Sequence, residues 1–415
     1  MKLVSWKFLA MSMVAAGMIS FTSCDDDEEN NVTPTPDPDP TPETPTEYKL
    51  EGEITSDLTL EAGETYTLSG GVHVKSGATL NIPEGTKIVA VYDDVVDYIL
   101  VEQGAKINAN GTAENPIVMT CDREEPGSWG GLHLCGYAHT NAAGGVGSSE
   151  IGSATYGGDD DADNSGTLRY VRMEYTGYAF DEEHESNGIS FYGVGNGTTV
   201  EYVQAYKGSD DGFEFFGGSV NIKHAVVTSC SDDSFDWTEG WNGKGQFLVA
   251  YQEAESSVGY ACDCLMECDN NGTDFAATPV AHPVLANVTL IGNGGEEQGV
   301  RLRAGTQVEL YNALISGKPA PLTVETTETE NALADGTSKL VNVALSGELT
   351  SENNIYTNDM FAAGEGNLTD QTFEYSDLYI GTVEGGSTVE DPFFESAPYK
   401  GAVSADNNWT SGWTL

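Results

Sequence analysis

Ser209-Asp210-Asp211-Gly212-Phe213-Glu214-Phe215-Phe216-Gly217-Gly218 returns 22 residues later as Ser231-Asp232-Asp233-Ser234-Phe235-Asp236-Trp237-Thr238-Glu239-Gly240. Acid falls on acid and aromatic on aromatic. The segment at 199–204 parallels 219–224, and 167–172 is an earlier copy. Looser copies follow at 284–290, 308–315 and 340–345. Internal similarity at a period in the low twenties, with two or three short strands per period, is the signature of a solenoid. Around these copies the chain reads as strands of three to six residues cut by glycine, as in 78–82, 86–91 and 99–101. Apolar residues alternate, and no helix period is sustained.

These features predict an all-β fold, a right-handed single-stranded parallel β-helix with roughly 22 residues per coil and about a dozen coils. Each coil leaves backbone groups open above and below, and the next coil pairs them at about 4.8 Å. Handedness follows from the right-handed preference of parallel crossovers. An antiparallel sandwich or a propeller is the competing architecture. A blade needs about 40 residues, so the 22-residue copy argues against a propeller.

Composition sets the outer limits. The 415 residues carry 17 basic and 66 acidic side chains, a formal net charge of -49. Such a surface repels phosphate backbones, which excludes nucleic acid as a partner bound by charge. Apolar residues at 39% supply a core, which excludes wholesale disorder. Glycine, 49 residues, implies many turns.

The first 23 residues form a leader: Lys2 and Lys7 precede an apolar run at 8–19, too short to span a bilayer. Thr22 and Ser23 then precede Cys24. This resembles a bacterial lipoprotein signal with Cys24 as the lipidated residue, although Phe21 departs from the usual leucine. Cleavage nearby with Cys24 left as a plain thiol is the alternative. Asp25 to Glu29 is an acidic run, and six prolines lie between Pro34 and Pro45. Residues 24–47 are therefore expected to be an extended acidic tether. The expected organisation is leader 1–23, tether 24–47, solenoid 48–390 and C-terminal cap 391–415.

Several strings resemble a Bacteroidetes family of right-handed β-helix surface lipoproteins without an assigned activity. They are Ser128-Trp129-Gly130-Gly131-Leu132, the run 163–172, the run 197–203, Ser209 to Glu214, the run 299–306 and the ending 407–413. The resemblance implies a lipid anchor in the outer membrane and exposure at the cell surface. It implies no reaction.

The acidic repeat is the sharpest chemical feature. A 22-residue register stacks Asp211 on Asp233 and Glu214 on Asp236. Carboxylates about 5 Å apart persist only if protonated, hydrated or bridged by a cation, and calcium suits such oxygen-rich sites. The plain alternative is a turn in which the acids cap backbone amides. Asp161 and Asp163 begin a second calcium-like loop, but Arg172 stands where an EF-hand needs glutamate. A catalytic alternative casts Asp210, Asp211, Glu214, Asp232, Asp233 and Asp236 as glycosidase carboxyls, or Arg301 or Arg303 as a lyase base beside calcium. Arginines in such coils otherwise pair with acids of the next coil. Phe215, Phe216, Trp237 and Trp241 read as sugar-stacking faces or as core ladders. Cys262, Cys264 and Cys268 suggest one local disulfide in an oxidising compartment. Six scattered histidines form no metal or triad spacing. These residues point first to a non-enzymatic module binding glycans, host surface proteins or divalent cations. A polysaccharide lyase or glycoside hydrolase is the second reading, and an envelope spacer the third.

Overall fold

The computed structural model describes residues 47–179, 185–295 and 298–415. The leader, Cys24 and the tether up to residue 46 lie outside the described residues. The compact unit runs from Glu47 to Leu415.

Alternating burial builds the strands. Thr79–Pro83 buries Leu80 and Ile82, and Lys87–Ala90 buries Ile88 and Ala90, while their neighbours face outward. Stacking such strands in parallel yields three faces. Face one runs through Leu58–Thr59, Thr79–Pro83, Lys106–Asn110 and the first part of Gly166–Glu174. Beyond that point faces one and two are halves of one bent strand: Thr199–Tyr206, Asn221–Thr228, Lys244–Tyr251, Val284–Ile291 and Glu309–Ser316. Face three stacks Leu132–Cys135, Ile189–Tyr192, Phe213–Phe216, Phe235–Thr238, Met266–Cys268, Gln298–Leu302 and Ala320–Val324. The fold is a right-handed parallel β-helix. Its one described antiparallel strand pair, Gly147–Ser148 with Thr155–Tyr156, lies in an excursion.

The register sharpens the repeat and corrects two expectations. Phe213 pairs with Phe235 and Glu214 with Asp236, the 22-residue step read from the sequence. On face one Thr199 pairs with Asn221, so the match of 199–204 to 219–224 is displaced by two residues. The step is also not uniform. Ile107 pairs with Gly166 and Gly245 with Leu285, because excursions leave the stack between them. Face one counts ten described strands rather than a dozen.

The corner between faces one and two is a single left-handed residue at successive levels: Tyr170, Tyr202, His224, Phe247, Asn287, Asn312 and Asn342, with φ between 49 and 58°. Such a conformation is strained for a side-chain-bearing residue. Stacking offsets part of that strain, since Tyr170–Tyr202 and Tyr202–His224 ring centroids lie 4.4 and 4.2 Å apart.

The C-terminal segment does not cap the end of the stack, as residues 391–415 were expected to do. It returns along this corner as a strap. Asn312 Nδ2 donates to Ser387 O, Asn287 Nδ2 to Tyr399 O and Gln204 Nε2 to Leu415 O. Trp413 meets Tyr170 edge-on at 5.6 Å, and Trp409 meets His224 at 5.0 Å. The strap also covers Val226 and Val249 with Tyr379, Ile380, Ala402 and Val403. The end of the solenoid instead carries two short helices, Thr327–Ala334 and Asn358–Ala362, which bury Leu333 and Phe361.

Candidate functional site

Face three carries an acidic cleft of about 360 Å³. Its floor is the outward row of three consecutive strands, Glu214, Asp236 and Glu267, closed at one end by Arg301. Its upper wall comes from the turns that lead into face three. Gly212 N donates to Asp233 O and Asp263 N to Ser231 O, which keeps these turns in step. Asp210, Asp232 and Asp263 therefore recur one above another, beside Asp211 and Asp233. Glu150, from the excursion that holds the antiparallel strand pair, and Glu185 complete the lining. Among the described residues, ten carboxyl groups thus meet one guanidinium.

The turn-capping role predicted as the plain alternative is present in part. Asp211 Oδ1 accepts from Asp233 N at 2.9 Å, and Asp233 Oδ1 accepts from Cys264 N at 2.7 Å. Each cap uses one oxygen and leaves the other for the cleft. Glu214 accepts from Asn187 Nδ2 at 2.6 Å. Asp236 Oδ1 is shut off from solvent and has no hydrogen-bond partner. Burial, reinforced by neighbouring acids, holds Asp211, Glu214, Asp233 and Asp236 well above the usual carboxylate range. The same causes push Asp210 up to about 8 and Asp232 up to about 6. Clustered anions with few donors bind protons or cations.

The donor set fits a hard cation. Oxygens of Asp211, Glu214 and Asp236 lie within 4.8 Å of one another, as do those of Glu185, Asp210 and Asp232, and those of Asp211, Asp232 and Asp233. All-oxygen carboxylate groups suit calcium. Asp233, Cys264 and Glu267 form a fourth such group, but Arg301 and Arg303 both pair with Glu267 and already compensate it.

Other predicted residues fall elsewhere. Asp161 pairs with His139 Nδ1 at 2.5 Å, and Asp163 bonds Ser165 Oγ; neither joins a cation-sized group among the described residues. Arg301 bridges Glu267 and Glu325, and Arg303 bridges Glu267 and Asp269. The flanking carboxylates raise both guanidinium pKa values against the opposing effect of burial, so neither is suited to abstract a proton. The sugar-stacking expectation for the aromatics does not hold. Phe215, Trp237 and Trp241 are buried in the core, with Trp237 Nε1 on Thr306 Oγ1 and Trp241 Nε1 on Val220 O. Phe216 stacks on Tyr192 at 4.4 Å. Among the described residues, no aromatic lines the cleft. The expected disulfide is likewise absent: Cys262, Cys264 and Cys268 are buried thiols, as are Cys121, Cys135 and Cys230. Cys264, in the turn before Met266–Cys268, places its Sγ within 4.8 Å of carboxylate oxygens of Asp233 and Glu267, and Cys268 joins the core row with Trp237.

Glu150, Glu185, Asn187, Asp263 and Glu267 were not singled out from the sequence. Asp263 and Glu267 continue the acidic register into the next coil, hidden because the excursion after residue 251 breaks the 22-residue step. Glu150, Glu185 and Asn187 arrive from excursions, and no local pattern marks them. No curated protein and no solved structure matches the chain. The family model described as a pectate-lyase-like β-helix domain matches residues 52–414, and the chain belongs to that family.

Proposed function

We propose that this protein is a binding module for acidic glycans that works through divalent cations held in the face-three cleft. The observation that carries the reading is the cleft itself: carboxylates from consecutive coils share cation-sized spaces, and a sealed Asp236 oxygen lacks any donor. A bare cleft of this charge repels an anionic sugar, whereas a bound cation with open coordination positions attracts its carboxylate. Calcium is the expected ion. Family membership supports a carbohydrate ligand.

The test is a glycan array and direct titration of the protein with acidic and neutral polysaccharides, in calcium and in chelator. Binding of acidic chains only with calcium is expected; equal binding of both classes in chelator would remove the reading.

A second reading, hydrolysis, is favoured by the carboxyl of Asp210, which burial and neighbouring acids push up to about 8, so that it holds its proton near neutral pH and resembles a general acid. Release of reducing ends from any polysaccharide, lost in Asp210→Asn, would establish it.

We further propose that Cys24 carries a lipid anchor and that the tether displays the domain outside the outer membrane. Support comes from the leader, Cys24 and the acidic run after it. Labelling with a radioactive fatty acid, lost in Cys24→Ala, and protease shaving of intact cells test the two parts.

A further inference from the structure

Asn187 stands where the inner carboxylates begin. The next residue, Gly188, donates its amide to Asp211 O at 2.8 Å, and a Cβ there would lie 2.3 Å from Gly212 O. The two coils are therefore in backbone contact, and Asn187 sits beside Asp211. Its side chain is buried, with 1% of the residue exposed. Nδ2 donates to Glu214 Oε2 at 2.6 Å and to Ser190 Oγ at 3.1 Å. Its Oδ1 has no partner.

A buried acceptor left unpaired is costly, because it has given up its water without a replacement donor. Here there are two: Asn187 Oδ1, and Asp236 Oδ1 on the strand that pairs with that of Glu214. Both are hard oxygen acceptors. The one guanidinium in the cleft wall, Arg301, is spent on Glu267 and Glu325. A cation among these carboxylates would satisfy Asp236 Oδ1 directly, and Asn187 Oδ1 once its amide has turned toward the ion.

We infer that Asn187 is the fourth ligand of an inner divalent-cation site formed with Asp211, Glu214 and Asp236, and that its amide turns over when the ion enters. Without the ion, the NH2 group steadies Glu214. With an ion between the three carboxylates, Glu214 is held by the metal, and a donor beside it is redundant. Turning the amide brings Oδ1 to the ion. Ser190 Oγ can donate as well as accept, so that hydrogen bond survives the turn. Three carboxylates and one amide oxygen select calcium or manganese over metals that prefer thiolate or imidazole. Such an ion ties three consecutive coils together, at Asn187, at Asp211 with Glu214, and at Asp236. The inference rests on the cation reading of the cleft and goes beyond it by assigning a residue, a switch and a structural role.

The test is calorimetric titration of the whole protein with calcium, with melting curves in calcium and in chelator, for wild type, Asn187→Ala and Asn187→Asp. Asn187→Ala is expected to lose about tenfold in calcium affinity. Asn187→Asp places a carboxylate against Glu214, so it should melt below wild type in chelator and gain more than wild type from calcium. Should either fail to fold, Asn187→Ser keeps a small oxygen and is expected to show the same tenfold loss. Asn187→Ala and Asn187→Ser that bind calcium as tightly as wild type would overturn the inference while leaving the cleft a cation site. A wild type that takes up neither calcium nor manganese would overturn both.

Discussion

Two carboxylates drawn away from solvent, the fully buried Glu330 and the half-buried Asp236 with its sealed Oδ1, do different things. Glu330, in the helix near the end of the solenoid, has no exposed surface. Its oxygens accept from Ser351 Oγ, from the backbone amides of Asn353, Ile355 and Tyr356, and from Asn353 Nδ2, at 2.6 to 3.3 Å. Burial opposes its charge, yet these donors together hold its pKa below the usual value. Asp236 has burial without donors, and its pKa rises. Burial alone therefore does not decide what a carboxylate does. Its donors do. A carboxylate that brings its own donors organises the chain, and one without them is left with affinity for a proton or a cation.

The comparison predicts its largest effect at Glu330. Glu330→Ala strips four neighbouring residues of a shared acceptor and should destabilise the protein by about 4 kcal/mol in urea unfolding. A loss under about 1 kcal/mol would mean that water replaces the carboxylate and that the donors are not what holds this end together.

Calcium addition comes next. A ligand of the native state at a hundred times its Kd stabilises by about 2.7 kcal/mol, so melting in calcium should exceed melting in chelator by several degrees. Glu330→Ala should show the same increment, since its site needs no ion. The absence of a calcium shift in wild type would break the contrast on its cleft side.

How much of this was legible follows from the same physics. The Asp211–Asp233 and Glu214–Asp236 stacking was readable because two consecutive coils kept one length, so identical chemistry recurred at one spacing. Glu267 belongs to the same row but was masked by the excursion after residue 251. The role of Trp237 and Trp241 was not legible, because aromatic residues beside acids look alike whether they face in or out. Only register decides that, and Phe215 and Trp237 pair on the inward row. The strap was missed because its contacts, such as Gln204 with Leu415, span two hundred residues of sequence. Glu330 was missed for a related reason: its donors follow it by more than twenty residues in an irregular loop.

A smaller effect of opposite sign is expected at Asp236. In chelator, Asp236→Asn removes an unpaired buried acid and one source of repulsion, and should stabilise by about 1–2 kcal/mol. In calcium the same change should cost affinity and reverse the sign. If Asp236→Asn destabilised the chelated protein as Glu330→Ala does, the two carboxylates would be alike and the contrast between them would be lost.

The pH dependence of the chelated protein is the finest test, because two sets of groups pull in opposite directions. The cleft acids have folded pKa values raised above their unfolded ones, so they favour the folded state fully only below the unfolded value near 4. That advantage is lost as pH rises through their folded values, about 6 for Asp232 and about 8 for Asp210. Buried His133 and His224 act in reverse. Desolvation lowers them to about 4 and about 3, so their contribution is present above about 6.5 and is lost as pH falls toward those values. Between pH 8 and 6.5 the acids act almost alone, and the chelated protein should gain about 2 kcal/mol on acidification, most of it from Asp210, with stability turning over below that range. Calcium holds the cleft acids ionised, so in its presence the gain between pH 8 and 6.5 should vanish while the acid-side loss from the histidines remains. Melting curves at four pH values, with and without calcium, separate the two sets. A chelated protein that loses stability from pH 8 to 6.5 would show that the cleft carboxyls are ionised and solvated in the absence of metal, and Asp236 would then need no ion.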